Sequence, residues 1–183
     1  RALSLAIDRD AVNEIAFLGQ GVPRTQTVVP SSPYYQPELE SLNAEYDPAT
    51  AEALLDGIGL TKGSDGFRTF PDGSELLIVI ETSGTGAGEL DTYELVTEWW
   101  NAIGVKTELR QETREVFWER AGANEVMVAT WTTDRGLVPM VDPIYQFPFD
   151  ERSWMGPAFG MWYKSGGTQG EKPPAHIKAA MDL

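Results

Sequence analysis

Leu76-Leu77-Ile78-Val79-Ile80 decides the architecture. Five consecutive apolar residues, three of them β-branched, read as a strand covered on both faces and therefore central in a sheet. Working outward, residues 91–103 predict a helix whose Leu95, Val96, Trp99, Trp100 and Ile103 form a wide apolar stripe. Gly104 follows where a left-handed stop is expected. Val105 to Leu109 alternates as the next strand, 113–121 reads as a short helix carrying Val116, Phe117 and Ala121, and Val126 to Trp131 as another buried strand. Strand, helix, strand, helix, strand is the signature of an α/β sheet with right-handed crossovers and flanking helices.

Upstream, residues 1–18 place Leu3, Ala6, Ile7, Val12, Ile15 and Ala16 near a 3.6 period. A break is expected near Asp8-Arg9-Asp10, with Asp10 capping the second half, and Gly19, Gly21 and Pro23 end the pattern. Residues 23–46 hold prolines 23, 30, 33 and 37 with little periodicity, which predicts an ordered surface loop. Asp47 is a good N-cap with Pro48 at the first helical position, Leu54 and Leu55 as the buried face, and Gly57 or Gly59 past the end. Asp65-Gly66 and Asp72-Gly73 mark turns in a hairpin-like stretch. A last helix is expected over 175–183, after Pro173-Pro174.

At 183 residues the chain accommodates one domain with a substantial core, whereas two would be cramped. A net charge of −14, from 28 acidic against 14 basic residues, repels phosphate backbones and argues against nucleic acid as a partner. With no Cys, disulfides, thiolate chemistry and Cys-ligated metals are excluded, and the single His176 leaves little room for a hydrolytic triad. No stretch approaches 18 apolar residues, so none reads as a membrane span. The start shows no signal-peptide pattern, and a helix opening without Met reads as the interior of a longer protein.

Two motifs carry a resemblance. Arg1-Ala2-Leu3-Ser4-Leu5-Ala6-Ile7-Asp8-Arg9 and, some forty residues on, Tyr46-Asp47-Pro48 leading to Leu54-Leu55 resemble the family 5 extracellular solute-binding proteins, the oligopeptide- and dipeptide-binding type that serve bacterial ABC importers. The central strand, the Trp99-Trp100-Asn101-Ala102-Ile103-Gly104-Val105 helix end and the strand ending at Trp131 continue it in order. The resemblance implies a two-lobed, periplasmic-binding-protein-like fold with a mixed sheet. Residues 1–183 would form one lobe, most of the second, with the first lobe absent. It further implies a periplasmic or extracytoplasmic location, capture of a solute (oligopeptides or dipeptides are expected), delivery to a membrane permease, no enzymatic step and no cofactor.

Thr130-Trp131-Thr132-Thr133-Asp134 is the most specific signal for the site. Peptide-binding relatives carry a Trp at this strand end and an Asp three residues on, which pairs with the ligand's α-ammonium; Trp131 and Asp134 match that spacing. The physical basis is a charge-assisted hydrogen bond from ammonium to carboxylate. Arg135 stands beside Asp134 as a potential neutralising partner, and a longer spacing than usual separates Asp134 from Asp142-Pro143. Trp131, Thr132, Asp134, Arg135 and Tyr145 are the candidate ligand-binding residues. The segment from 131 to 163 holds eight of the chain's nineteen aromatics among four prolines. It reads as a ligand-binding loop or, alternatively, as core, as turn packing or as cover for the surface left by a missing lobe. Trp99, Trp100 and Trp131 are expected to be partly buried, and the aromatics of 145–163 more exposed than usual.

Gly84-Thr85-Gly86-Ala87-Gly88 follows a strand and precedes a helix, with Glu108 about twenty residues beyond, the setting of a dinucleotide-binding fingerprint. That makes a nucleotide- or dinucleotide-binding enzyme domain the alternative function. But the pattern wants Gly at 89, where Glu89 would set a carboxylate against the phosphates, so the glycines read better as a connector and Glu89 as complement to the helix dipole. The Asp65 and Asp72 turns lack the alternating oxygen ligands of a calcium loop.

Overall fold

In a computed structural model the structure describes residues 1–131, 141, 143–145, 147–153 and 156–182. Its first helix divides where Asp8 turns the chain extended: α1 spans Ala2–Leu5 and α2 spans Arg9–Phe17. Asp8, rather than Asp10, is the cap. Its Oδ1 accepts from the Ala11 N–H at 2.9 Å, while Asp10 sits in the first turn, where a negative charge complements the dipole. The following loop is ordered around Glu40, which accepts from Arg24 and from the Tyr35 hydroxyl, both at 2.6 Å. One short helix, α3 (Pro37–Glu40), lies within it. Helix α4 (Pro48–Gly57) is capped as expected, the Asp47 carboxylate accepting from the Thr50 N–H at 2.9 Å. The Asp47 N–H donates to the Leu5 carbonyl at 2.8 Å and ties α4 to α1.

Strand β3 (Leu77–Thr82) is central, in parallel order β4-β3-β5 with β4 (Lys106–Gln111) and β5 (Val128–Ala129). Helix α5 (Glu89–Ala102) crosses from β3 to β4, and α6 (Arg114–Gly122), capped by Thr113, crosses from β4 to β5. Antiparallel pairing is confined to a separate hairpin, β1 (Thr61–Lys62) with β2 (Arg68–Thr69). The third strand is shorter and more exposed than its apolar run predicts: only Val128 and Ala129 pair with β3, Ala129 is exposed, and Met127 is 63% exposed. The run lies at the edge of the sheet, where among the described residues one of its sides has no strand beside it.

Leu5, Ala6, Ala51, Leu55, Ile80, Val96, Trp100, Ile103 and Val105 form one buried cluster between these helices and the sheet. Trp100 buries its ring there and satisfies its indole N–H on the Leu3 carbonyl at 3.0 Å. The Asn101 side chain both donates to and accepts from the Thr107 backbone, fixing the end of α5 on β4. Among the described residues after β5 are a 3-10 turn (Pro143–Tyr145) and helices α7 (Pro157–Lys164) and α8 (Ala175–Met181). Of the expected burials, Trp100 is buried and Trp99 and Trp131 half-buried. Among the described aromatic side chains of 145–163 only Tyr163 is exposed; Phe147, Phe149, Phe159 and Trp162 are half-buried. Phe149 packs between Phe147 and Tyr163, at 6.0 and 5.6 Å between ring centroids.

Candidate ligand-binding site

Three parallel strands put their C-terminal ends on one edge, the place where open α/β sheets hold ligands. Thr82 ends β3 and Ser83 follows it, Gln111 ends β4, and Thr130 and Trp131 follow β5. Thr82 and Thr130 are buried, and both turn their hydroxyls onto one carboxylate, that of Glu89 in the first turn of α5. Thr82 makes a short hydrogen bond to Glu89 Oε1, Thr130 donates to the same oxygen at 2.9 Å, and the Gly86 N–H donates to Oε2 at 2.8 Å. Burial raises the Glu89 pKa, but the Thr82 hydroxyl, the Gly86 N–H and the Thr130 hydroxyl outweigh it and hold it below the ordinary glutamate value.

Glu89 thus closes the glycine loop onto the strand ends, and its negative charge fills the space a dinucleotide phosphate would need. The glycines have a packing reason instead. Gly88 has φ +69°, and a Cβ there would lie 2.6 Å from the Ala16 carbonyl oxygen at the end of α2. The Asp65 and Asp72 turns are likewise local: Asp65 accepts from the Phe67 N–H at 3.1 Å and Asp72 from the Ser74 N–H at 2.9 Å. No group of three His, Asp or Glu side chains converges for a metal among the described residues. His176 is exposed on α8.

Trp131 stands at the sheet edge against α6. Its ring runs nearly parallel to Phe117, 12° apart with centroids at 6.0 Å, and meets Trp118 edge-on at 4.9 Å. The Arg114 guanidinium lies over it, 5.0 Å from the ring centroid. Of the other candidates, Tyr145 ends the 3-10 turn, and Thr132, Asp134 and Arg135 lie outside the described residues. Sequence reading missed the Glu89–Thr82–Thr130 cluster and Arg114. Glu89 was legible only as a dipole complement, and nothing local ties Arg114 to a residue 17 positions later. An apolar cleft of about 420 Å³ lies elsewhere, near the N-terminal ends of β3 and β4. Leu3, Leu54, Leu76 and Ile78 line it together with Arg1, and so apolar a lining offers few polar groups to orient a solute.

Residues 1–150 match the model of the bacterial extracellular solute-binding proteins, family 5 Middle. The chain belongs to that family of solute binders. Its structure is similar to the oligopeptide-binding protein OppA, at 33% identity and a TM-score of 0.84 over 99% of this chain and 31% of that one. It is also similar to AppA from Bacillus subtilis in complex with a nonapeptide, at 16% identity, a TM-score of 0.69, and 99% and 37% of the two chains. NikA from Brucella suis in complex with Fe(III)-EDTA gives 21% identity, a TM-score of 0.68, and 99% and 37%. The last two likenesses speak for the fold alone. The chain spans about a third of the length of these structures. No curated protein sequence matches it.

Proposed function

We propose that this chain is one lobe of the substrate-binding component of an ABC importer, working outside the cytoplasmic membrane and handing an oligopeptide or dipeptide to a membrane permease. In this reading residues 1–183 supply one wall of the site, the first lobe of the same protein supplies the other, and closure of the two replaces any chemical step. The observation that carries it is Trp131, held at the C-terminal edge of the parallel sheet three residues before Asp134, within a family of solute binders. Asp134 takes the peptide's α-ammonium, Thr132 and the neighbouring backbone take its main chain, and Arg135 and Tyr145 border the site. Main-chain bonding to an extended peptide reads length and termini more than side chains, which suits a scavenger.

The test is calorimetric titration with tetra-alanine and with its N-acetylated form. Asp134→Asn is expected to weaken tetra-alanine binding about tenfold or more and leave the acetylated peptide unaffected. Equal affinity of the unmodified protein for both peptides removes the ammonium role. Binding of neither removes the peptide reading.

A further inference from the structure

The apolar cleft at the N-terminal ends of β3 and β4 lies at the opposite end of the sheet from Trp131, and the peptide reading makes no use of it. Its floor is core, where Leu55 and Val105 are buried. Its walls are the half-buried aliphatic side chains of Leu3, Leu76 and Ile78, and Ile58, just past α4, is 68% exposed at its lip. A space of about 420 Å³ falls within the range of about 300–1,000 Å³ that holds small ligands. Covering aliphatic surface left open to water is the gain an apolar ligand would make there. Arg1 is the one charged residue in the lining, and it is exposed. Among the described residues its guanidinium meets no carboxylate. The acidic residues interleaved with the lining in sequence are engaged elsewhere: Asp56 accepts from Arg68 at 2.5 Å, and Glu75 pairs with Lys106.

We propose that this cleft binds a single-chain anionic amphiphile, a fatty acid in chemical class, with its tail on Leu3, Leu76 and Ile78 and its carboxylate at Arg1. An aliphatic trough with one cation at its rim is the complement of an aliphatic tail with one anion at its end. Tail burial supplies most of the affinity, and the exposed ion pair sets a modest preference for an acid head. A second copy of the chain or an anionic membrane would bring many negative charges against a net charge of −14, whereas a fatty acid brings one and sets it beside Arg1. Because the cleft and the peptide site lie at opposite ends of the sheet, the two ligands bind independently, and failure of either reading leaves the other standing.

The experiment is calorimetric titration of the chain with octanoate, decanoate, dodecanoate and methyl dodecanoate, all below their micellar concentrations. Affinity is expected to rise about tenfold for each added pair of methylenes until the cleft is full. Dodecanoate should bind about fivefold tighter than its methyl ester. Arg1→Gln should abolish that preference while binding the ester as the parent does, a pattern that loss of folding does not produce. Ile58→Asp, a change at an exposed position, should weaken dodecanoate about tenfold. Saturation with tetra-alanine should leave dodecanoate binding unchanged. Affinity independent of tail length, a preference for the acid that survives in Arg1→Gln, or displacement of dodecanoate by tetra-alanine overturns the inference. A dimer that dodecanoate does not dissociate, or cosedimentation with phosphatidylglycerol vesicles that Ile58→Asp abolishes, overturns it too and assigns the cleft to a second copy or to a membrane.

Discussion

Glu89 does two jobs with one carboxylate. It satisfies the buried Thr82 and Thr130 hydroxyls through Oε1 and the Gly86 N–H through Oε2. Strand pairing stops at Ala129, and the Thr130 bond to Glu89 then ties the chain to the start of α5 just before Trp131. Glu89→Gln keeps the shape, but its amide sets N–H donors against the Gly86 N–H or against the two hydroxyls. A buried donor left unsatisfied costs about 1–3 kcal/mol, so a loss of about 2 kcal/mol is expected in chemical denaturation. The pH dependence has a definite sign. Because folding lowers the Glu89 pKa, its contribution is present above the ordinary glutamate value and is lost as pH falls through the lower folded one. The parent should therefore lose stability below about pH 4 more steeply than Glu89→Gln, whose side chain does not titrate. Parallel acid-unfolding profiles of the two proteins would refute that account. The residue scale is also where sequence reading was weakest. Glu89 was visible at a helix start, but its three donors come from positions 82, 86 and 130, and no periodicity brings those together.

Elements were legible where their signals are local. Asp47-Pro48 starts α4, and Gly104, with φ +84°, closes the turn after α5; each depends on backbone geometry within a few residues. The third strand was over-read because an apolar run looks the same in a central strand and in a two-residue edge pairing. Arg68 was invisible for the opposite reason: a charged residue in a turn-rich hairpin reads as surface, yet its side chain is fully buried. Its Nε donates to the Ile103 carbonyl at 2.8 Å, and one terminal nitrogen reaches the Leu60 carbonyl at 2.6 Å and Asp56 at 2.5 Å. The planar fork thereby clamps the hairpin, the end of α4 and the end of α5 to one another. Arg68→Ala leaves two carbonyls without their donor and a cavity between three elements. About 3 kcal/mol is the expected cost, a large share of a stability of about 5–15 kcal/mol. Arg68→Lys should recover little of it, since a single ammonium cannot span those oxygens. Denaturant midpoints for both variants near that of the parent would show the clamp to be dispensable.

At the scale of the whole molecule the balance of charge governs. The ion pairs Lys62–Glu52, Lys164–Glu151 and Lys178–Asp182 lie at the surface, where each contributes about 0–1 kcal/mol. Fourteen basic residues cannot neutralise 28 acidic ones, and the surplus is spread over a chain whose folded form brings those carboxylates closer together. Self-repulsion of this kind opposes compaction and is screened by salt over about 10 Å at 0.1 M. Two salt effects therefore oppose each other: screening weakens the surface pairs and relieves the net repulsion. With an excess of fourteen negative charges the second outweighs the first. The melting temperature should rise by several degrees between low salt and about 0.2 M sodium chloride, with sodium and potassium equivalent because the effect is ionic strength and not site binding. A fall in melting temperature over that range would place the stability of this fold in its ion pairs rather than in the cluster around Ile80, Val96 and Trp100.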